Sequence, residues 1–252
     1  MKLSLTIDDK DVDAVKLLQE RLRSDHFVMH RATRNLSLQK PVVTKTRFWK
    51  AMSAMRLTSG QKSGPNGAVA KLVLTMPYPL AYEAVVVAND PRATMHAAIQ
   101  ESGGIRFHTK IADELSENLA NLEGGGWNDI LNCCNQLTKA DADKLVERKA
   151  AHFISSKLAG IGPKQSRNTL QALGLTRYEI PIDVRVTKWL RKIGFPIPVN
   201  ANLLSDSEYY DFVLDRFQEL CTRANIFPCE LDAMIFAEGD RGAWTAENQM
   251  EF

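Results

Sequence analysis

Two side chains in this chain have types and spacing suited to chemistry, Lys164 and Asp183, nineteen residues apart. A lysine amine is a nucleophile once it is neutral, and a fixed carboxylate can hold positive charge that develops beside it. Both residues stand next to backbone punctuation. Lys164 closes the run Leu158-Ala159-Gly160-Ile161-Gly162-Pro163-Lys164, and Asp183 lies inside Ile180-Pro181-Ile182-Asp183-Val184-Arg185. Two glycines flanking one apolar residue let the backbone turn tightly and bring amide N–H groups to the surface. With a helix starting just after them, those donors form an anion site suited to a phosphate. Plainer roles exist for each residue: a Gly-x-Gly is also an ordinary helix–helix turn, Lys164 could simply contact a phosphate, and Asp183 could cap a helix.

The elements that must position these residues read as helices separated by Gly and Pro. Val12, Val15, Leu18 and Leu22 have helical spacing, and a basic stretch of low periodicity follows to about Thr44. Phe48, Trp49, Met52, Met55 and Leu57 fit one helix, closed or kinked at Ser59-Gly60, and Gly64-Pro65-Asn66-Gly67 is a turn before a helix over 68–74. Residues 80–89 are an apolar run compatible with helix or strand, and Asp90-Pro91 starts the next helix. Gly103-Gly104 and Gly124-Gly125-Gly126 mark loops. Helices are expected over 127–137, 140–158, from about 164 through Leu173, over 184–193, and again between Leu203 and Phe236. With no regular period-2 series, the fold class is mainly α.

Charge is distributed unevenly although the net charge is only +2. No acidic residue lies between Asp25 and Glu83, where Arg31, Arg34, Lys40, Lys45, Arg47, Lys50, Arg56, Lys62 and Lys71 fall. Residues 144–192 carry eleven basic against three acidic residues, and residues 200–252 carry three against eleven. This asymmetry suits a cationic face for a polyanion, or two ordinary solvated faces. The four cysteines show no CxxC and the five histidines no ligand spacing, so no metal site is expected and the cysteines read as small buried hydrophobes. No run of apolar residues is long enough for a membrane span or signal peptide, which suggests a cytoplasmic, nucleoid-associated protein, or a nuclear one in a eukaryote.

The segments L-A-G-I-G-P-K and I-P-I-D-V-R resemble the helix-hairpin-helix, Gly/Pro-rich-loop, aspartate (HhH-GPD) superfamily of DNA glycosylases, and their spacing best matches its 8-oxoguanine glycosylase-like branch. The resemblance is close over 147–193 and loose from Phe48 to Gly194. It implies a two-lobed helical fold with an active-site cleft between the lobes. It also implies Lys164 as a Schiff-base nucleophile with associated lyase activity, and Asp183 as the carboxylate that stabilises the sugar cation. Gly160, Ile161, Gly162, Arg185, Gln61 and Lys62 would meet DNA, Gln61 filling the gap left by an extruded base. No cofactor is implied beyond room for a monovalent cation at the hairpin carbonyls. The partner implied is double-stranded DNA containing a modified base, bound by a monomer.

Three features depart from the family pattern. Arg185 occupies a position usually held by His and is read as a bidentate phosphate contact. Asn168 stands where that branch has a small pocket residue, which leaves the base open, and the N-terminal segment is too short for the β domain of the larger enzymes. Trp49, Trp127, Phe212 and Trp244 are candidates to stack on a base, or else core residues. Arg167 and Arg185 could lower the Lys164 pKa, against Asp183. The expected division is an N-terminal helix and basic segment over 1–44, a glycosylase core over 45–195, and C-terminal helices over 196–252 packing back on that core. Two other readings use the same residues: a glycosylase removing a hypermodified base from foreign DNA such as phage DNA, and a non-catalytic helix-hairpin-helix DNA-binding module. Clustered carboxylates for a metal-dependent nuclease are missing.

Overall fold

The computed structural model describes residues 5–61, 64–240, 243–245 and 252; among them are helices and connecting turns, and no strand. In chain order the helices are α1 (Asp9–Leu22), α2 (His26–Leu36), α3 (Lys45–Leu57), α4 (Ala68–Leu74), α5 (Tyr82–Val86), α6 (Pro91–Glu101), α7 (His108–Asn121), α8 (Trp127–Leu137), α9 (Lys144–Lys157), α10 (Pro163–Ala172), α11 (Val184–Lys192), α12 (Ser207–Arg223) and α13 (Pro228–Asp240). The fold is mainly α, and among the described residues no helix is long and apolar enough to cross a membrane.

Local sequence sets most helix starts. Asp8 caps α1 in a reciprocal box with Asp11, Asp90 accepts from the Ala93 amide ahead of Pro91, and Asp143 accepts from the Leu145 and Val146 amides at α9. Two segments differ from expectation. The basic stretch after residue 25 holds α2, started by Asp25, whose side chain accepts from the Phe27 and Val28 amides. The three glycines at 124–126 mark a kink rather than an open loop: Gly125, at φ 121°, leaves helical geometry between α7 and α8. The ambiguous run after Leu80 holds the short helix α5.

Two apolar cores organise the chain. One joins residues from Val43 to Leu175, with α3 near its centre: Phe48, Trp49, Met52 and Leu57 are fully buried there. The other combines Val12, Val15, Leu18, Phe27 and Val28 from the N-terminus with Ile180, Val186, Tyr210, Phe217 and Met234 from the C-terminal third. Thus α1 and α2 pack on α13, and α11 packs with them rather than with α10. The second core joins the two ends of the chain, because α2 is buried against the apolar face of α13, which arrives only at the end of the chain. The chain crosses between the cores near residues 176–179, so Lys164 belongs to one lobe and Asp183 to the edge of the other.

Candidate active site

The hairpin that ends at Lys164 is built for close approach. α9 stops at Leu158, and Asn118 holds the next residue from both sides, accepting from the Ala159 amide at 2.7 Å and donating to its carbonyl at 2.9 Å. Gly160 turns the chain with φ 71°, and a Cβ there would collide with the paired side chains of Arg56 and Glu114. Ile161 is 1% exposed and plugs the gap between the helices. Gly162 is exposed, a Cβ there would meet nothing within 4 Å, and no side chain caps α10 behind Pro163. The start of α10 therefore presents backbone to the outside, as an anion site needs.

The residue after Lys164 fixes a second surface. Gln165 is buried and its Nε2 donates to the Met55 carbonyl at 2.5 Å, Thr58 Oγ1 at 3.1 Å and Ser59 Oγ at 2.5 Å, tying the end of α3 to the start of α10. Just beyond that turn, the Gln61 amide pairs with the Arg106 backbone, donating to its carbonyl at 2.7 Å and accepting from its N–H at 3.2 Å. Beside it stands Phe107, 59% exposed, at φ 61° in the left-handed region, its ring against Gly60. An exposed phenyl held on so constrained a backbone is a feature the sequence reading missed. Lys62 lies outside the described residues.

Asp183 is positioned by a buried scaffold beneath the loop over 176–183. The Glu147 carboxylate accepts from three consecutive amides, Arg177 at 3.0 Å, Tyr178 at 2.8 Å and Glu179 at 2.9 Å. Glu179 in turn accepts from Arg167 Nε at 2.7 Å and Arg148 Nε at 3.0 Å, while Arg167 also reaches Asp211 at 2.6 Å. Tyr210 hydroxyl donates to the Ile180 carbonyl at 3.0 Å and accepts from the Ile182 amide at 2.5 Å. So pinned, the loop delivers Asp183 as the cap of α11, accepting from the Arg185 amide at 2.7 Å and the Val186 amide at 3.0 Å. The cap reading and a chemical reading are compatible, since Oδ1 takes both amides.

Lys164 and Asp183 line the same cavity, of about 90 Å³, with Phe27, Arg31, Asn168, Asp232, Phe236 and Trp244 among its walls. Lys164 keeps partial solvent contact through the cavity, but the protein packed around it pushes its pKa below the usual 10.5; Asp183 and then Asp232 push it up, and Arg185 pulls it down. Desolvation is the largest influence and moves the amine towards its neutral form. No hydrogen bond or ion pair to this ammonium is found among the described residues.

Arg167, expected to act on the amine, does not: it is fully buried against Glu179, Asp211 and the Tyr210 ring. Arg185, read as a phosphate contact, turns inward. Its guanidinium bonds Asp183 at 2.9 Å and Asp240 at 2.9 Å and lies 4.1 Å above the Phe236 ring, while its stem rests on Gly239. In this arrangement it orients the Asp183 carboxylate.

Of the four candidate stacking aromatics, only Trp244 reaches the cavity. Trp49 donates from Nε1 to the Leu80 carbonyl at 2.8 Å deep in the first core, Trp127 is buried in that core too, and Phe212 packs at the edge of the second. The cavity instead gains Phe27 and Phe236, stacked at 5.2 Å, which the sequence reading missed. So was Asp232, four residues before Phe236 on α13. A carboxylate within the apolar run Leu231-Asp232-Ala233-Met234-Ile235 was the available signal. For α2, the face Phe27, His30, Arg31 and Arg34 at spacings of three and four would have revealed a helix. No group of three His, Cys, Asp or Glu residues able to hold a metal occurs among the described residues, and the cysteines are free.

No protein-family model and no curated protein matches the sequence. Solved structures do match over nearly the whole chain. The 8-oxoguanine DNA glycosylase of Thermotoga maritima aligns with a TM-score of 0.63 at 13% identity, covering 96% of this chain and 98% of that one. The 8-oxoguanine glycosylase/lyase of Methanocaldococcus jannaschii, solved with a 15mer DNA containing 8-oxoguanine, aligns with a TM-score of 0.65 at 15% identity, covering 90% and 95%. A structure of the Methanocaldococcus jannaschii 8-oxoguanine DNA glycosylase aligns equally well, at 14% identity. The chain therefore has the helical fold of the 8-oxoguanine DNA glycosylases.

Proposed function

We propose that this protein is a DNA glycosylase with associated apurinic-site lyase activity. It would act on a modified base in double-stranded DNA, with Lys164 as nucleophile and Asp183 as the carboxylate facing the sugar. The observation that carries this reading is the convergence of the two side chains on one cavity from different lobes, with the amine's pKa lowered by burial. The shared fold with glycosylases supports it.

A base must leave the stack before its glycosidic bond can be reached. The hairpin Gly160-Ile161-Gly162 and the open start of α10 would take a phosphate beside the extruded nucleotide. Gln61 and the exposed Phe107, held to α10 through Gln165, would face the space it vacates. Neutral Lys164 then attacks C1′, the bond from C1′ to the base nitrogen breaks, and the base carries away the bonding electrons. Positive charge on the sugar is largest at this point, and the Asp183 carboxylate would stabilise it. Loss of the amine's proton and opening of the ring give an imine between Nζ and C1′. Removal of a C2′ proton expels the 3′ phosphate, and water releases the lysine. A purely DNA-binding hairpin module would need neither the cavity nor a carboxylate in its wall.

Borohydride reduces such an imine to a stable bond. Incubation with duplex DNA containing 8-oxoguanine or an abasic site should trap a covalent protein–DNA adduct, and Lys164→Ala should remove it. An adduct of undiminished yield in that variant would overturn the assignment of the nucleophile.

A further inference from the structure

Outside the cavity, three donor atoms converge at the base of the turn that carries Phe107. His96 stands on α6, and His108 and Thr109 are the first two residues of α7. His108 Nδ1 lies 3.0 Å from His96 Nε2, and Thr109 Oγ1 lies 3.3 Å from the first and 3.2 Å from the second. The rings are inclined at 60° with centroids 4.9 Å apart. Both histidines are half-buried and Thr109 is exposed, so solvent reaches the triangle. The histidines are twelve residues apart on different helices, and only the packing of α6 on α7 brings them together.

Hydrogen bonding alone does not satisfy this triangle. Each nitrogen of a neutral imidazole is either donor or acceptor, and a hydroxyl brings one hydrogen. If one ring nitrogen donates to the other, the three atoms hold two hydrogens between them, fewer than the three edges require. If both carry hydrogen, the shortest edge sets donor against donor. A cation takes a lone pair from all three at once. Metal–nitrogen bonds of about 2.0–2.1 Å place neighbouring ligand atoms about 2.9 Å apart at right angles and about 3.3 Å apart in a tetrahedron. The observed edges lie within those limits. Two imidazoles select a transition metal over magnesium or calcium, which favour oxygen. The flanking cations are engaged elsewhere: Arg92 by Asp113 at 2.5 Å, Lys110 by Glu114 at 3.9 Å, and Arg106 by the Gly60 carbonyl.

We propose that His96 and His108, with Thr109 completing the face, bind a divalent ion of the nickel, copper and zinc group, and that this ion clamps the α6–α7 turn. The turn contains Gly103 and Gly104, both at positive φ, and ends in Phe107. Joining its two ends fixes the backbone on which the exposed phenyl stands, and water fills the remaining coordination positions. The site is separate from the cavity that holds Lys164 and Asp183, and it does not depend on the glycosylase reading.

The test titrates the untagged protein, freed of metal with EDTA, with nickel chloride in a calorimeter. A single ion should bind per chain, and Cu²⁺ should bind more tightly than Ni²⁺ or Zn²⁺. His96→Ala and His108→Ala should each weaken binding by about a hundredfold, since a chelate loses one arm. His26→Ala, at an exposed histidine on α2, should bind as the wild type does. Amide hydrogen exchange over 102–108 should slow when Ni²⁺ is added to the wild type and stay unchanged in His96→Ala. Pulsed EPR of the wild-type Cu²⁺ complex counts the coordinated imidazoles without any substitution, so a variant that fails to fold does not decide the matter; two are expected. No binding by the wild type, undiminished binding in either His96→Ala or His108→Ala, weakened binding in His26→Ala, fewer than two imidazoles, or exchange unaffected by the bound ion would each overturn the assignment.

Discussion

Two regions of this molecule bury charge, and they treat it differently. Under the loop over 176–183, every carboxylate is answered: Glu179 by Arg167 and Arg148, Asp211 by Arg167 and His152, Glu147 by three backbone amides. Around the cavity, the Lys164 ammonium has no hydrogen bond among the described residues, and Asp232 is satisfied at one oxygen only. The first region holds a loop in position. The second leaves its charges open to the cavity. Saturated buried ion pairs contribute little net stability but are costly to halve, whereas unsaturated ones lower stability and are retained where chemistry needs them.

Four substitutions break or sharpen this contrast. Arg167→Ala removes the fully buried partner of Glu179 and Asp211, leaving them Arg148 and His152, at a cost of about 3–5 kcal/mol. Thermal unfolding should then move down by roughly 6–20 °C in a chain of this size. A midpoint within a degree of wild type would show that the scaffold is not what holds the loop.

Asp183→Asn keeps the helix cap, since Asn caps as well as Asp, and removes the charge proposed to face the sugar, together with the ion pair to Arg185. Base release should fall by about 10²–10³ with the DNA dissociation constant nearly unchanged. Unaltered release would confine Asp183 to its capping role.

Asp232→Asn should raise stability at neutral pH. Its folded pKa, about 6, lies above the ordinary aspartate value of 3.8, so its contribution to stability is complete below about pH 4 and is lost as pH rises through 6. The two-unit difference corresponds to at most about 3 kcal/mol at pH 7.5. Calorimetry at pH 7.5 and pH 4 should show a gain at the first that vanishes at the second. A loss at pH 7.5 would place Asp232 with the scaffold.

Gly160→Ala should cost about 1–2 kcal/mol for the left-handed backbone alone, more once Arg56 and Glu114 are displaced. DNA affinity measured by fluorescence anisotropy should weaken in parallel. Unchanged affinity would remove the hairpin from the proposed interface.

Much of the fold and half of the cavity were legible in the sequence. Lys164 and Asp183 stand out because each follows a Gly/Pro-rich turn at a helix start, and such turns are encoded by the residues that make them. The helices over 68–74 and 127–137 have the expected limits for the same reason. Arg31 and Phe27 were hidden in a segment that looked merely basic, although Asp25 and the spacing of Phe27, His30, Arg31 and Arg34 encode α2. Arg185 was read from its type alone as suited to phosphate, while its partners, Asp183 and Asp240, come from separate elements.

By itself the sequence determined where helices start, where the chain turns, and which amine and carboxylate stand at those turns. Capping, positive φ and hydrophobic period act over a few residues, so they can be read along the chain. Tertiary structure alone decided that α2 and α13, from opposite ends of the chain, share a core and bring Arg31, Asp232, Phe27 and Phe236 to Lys164. The packing of apolar faces chose those neighbours, and no local spacing records which face meets which.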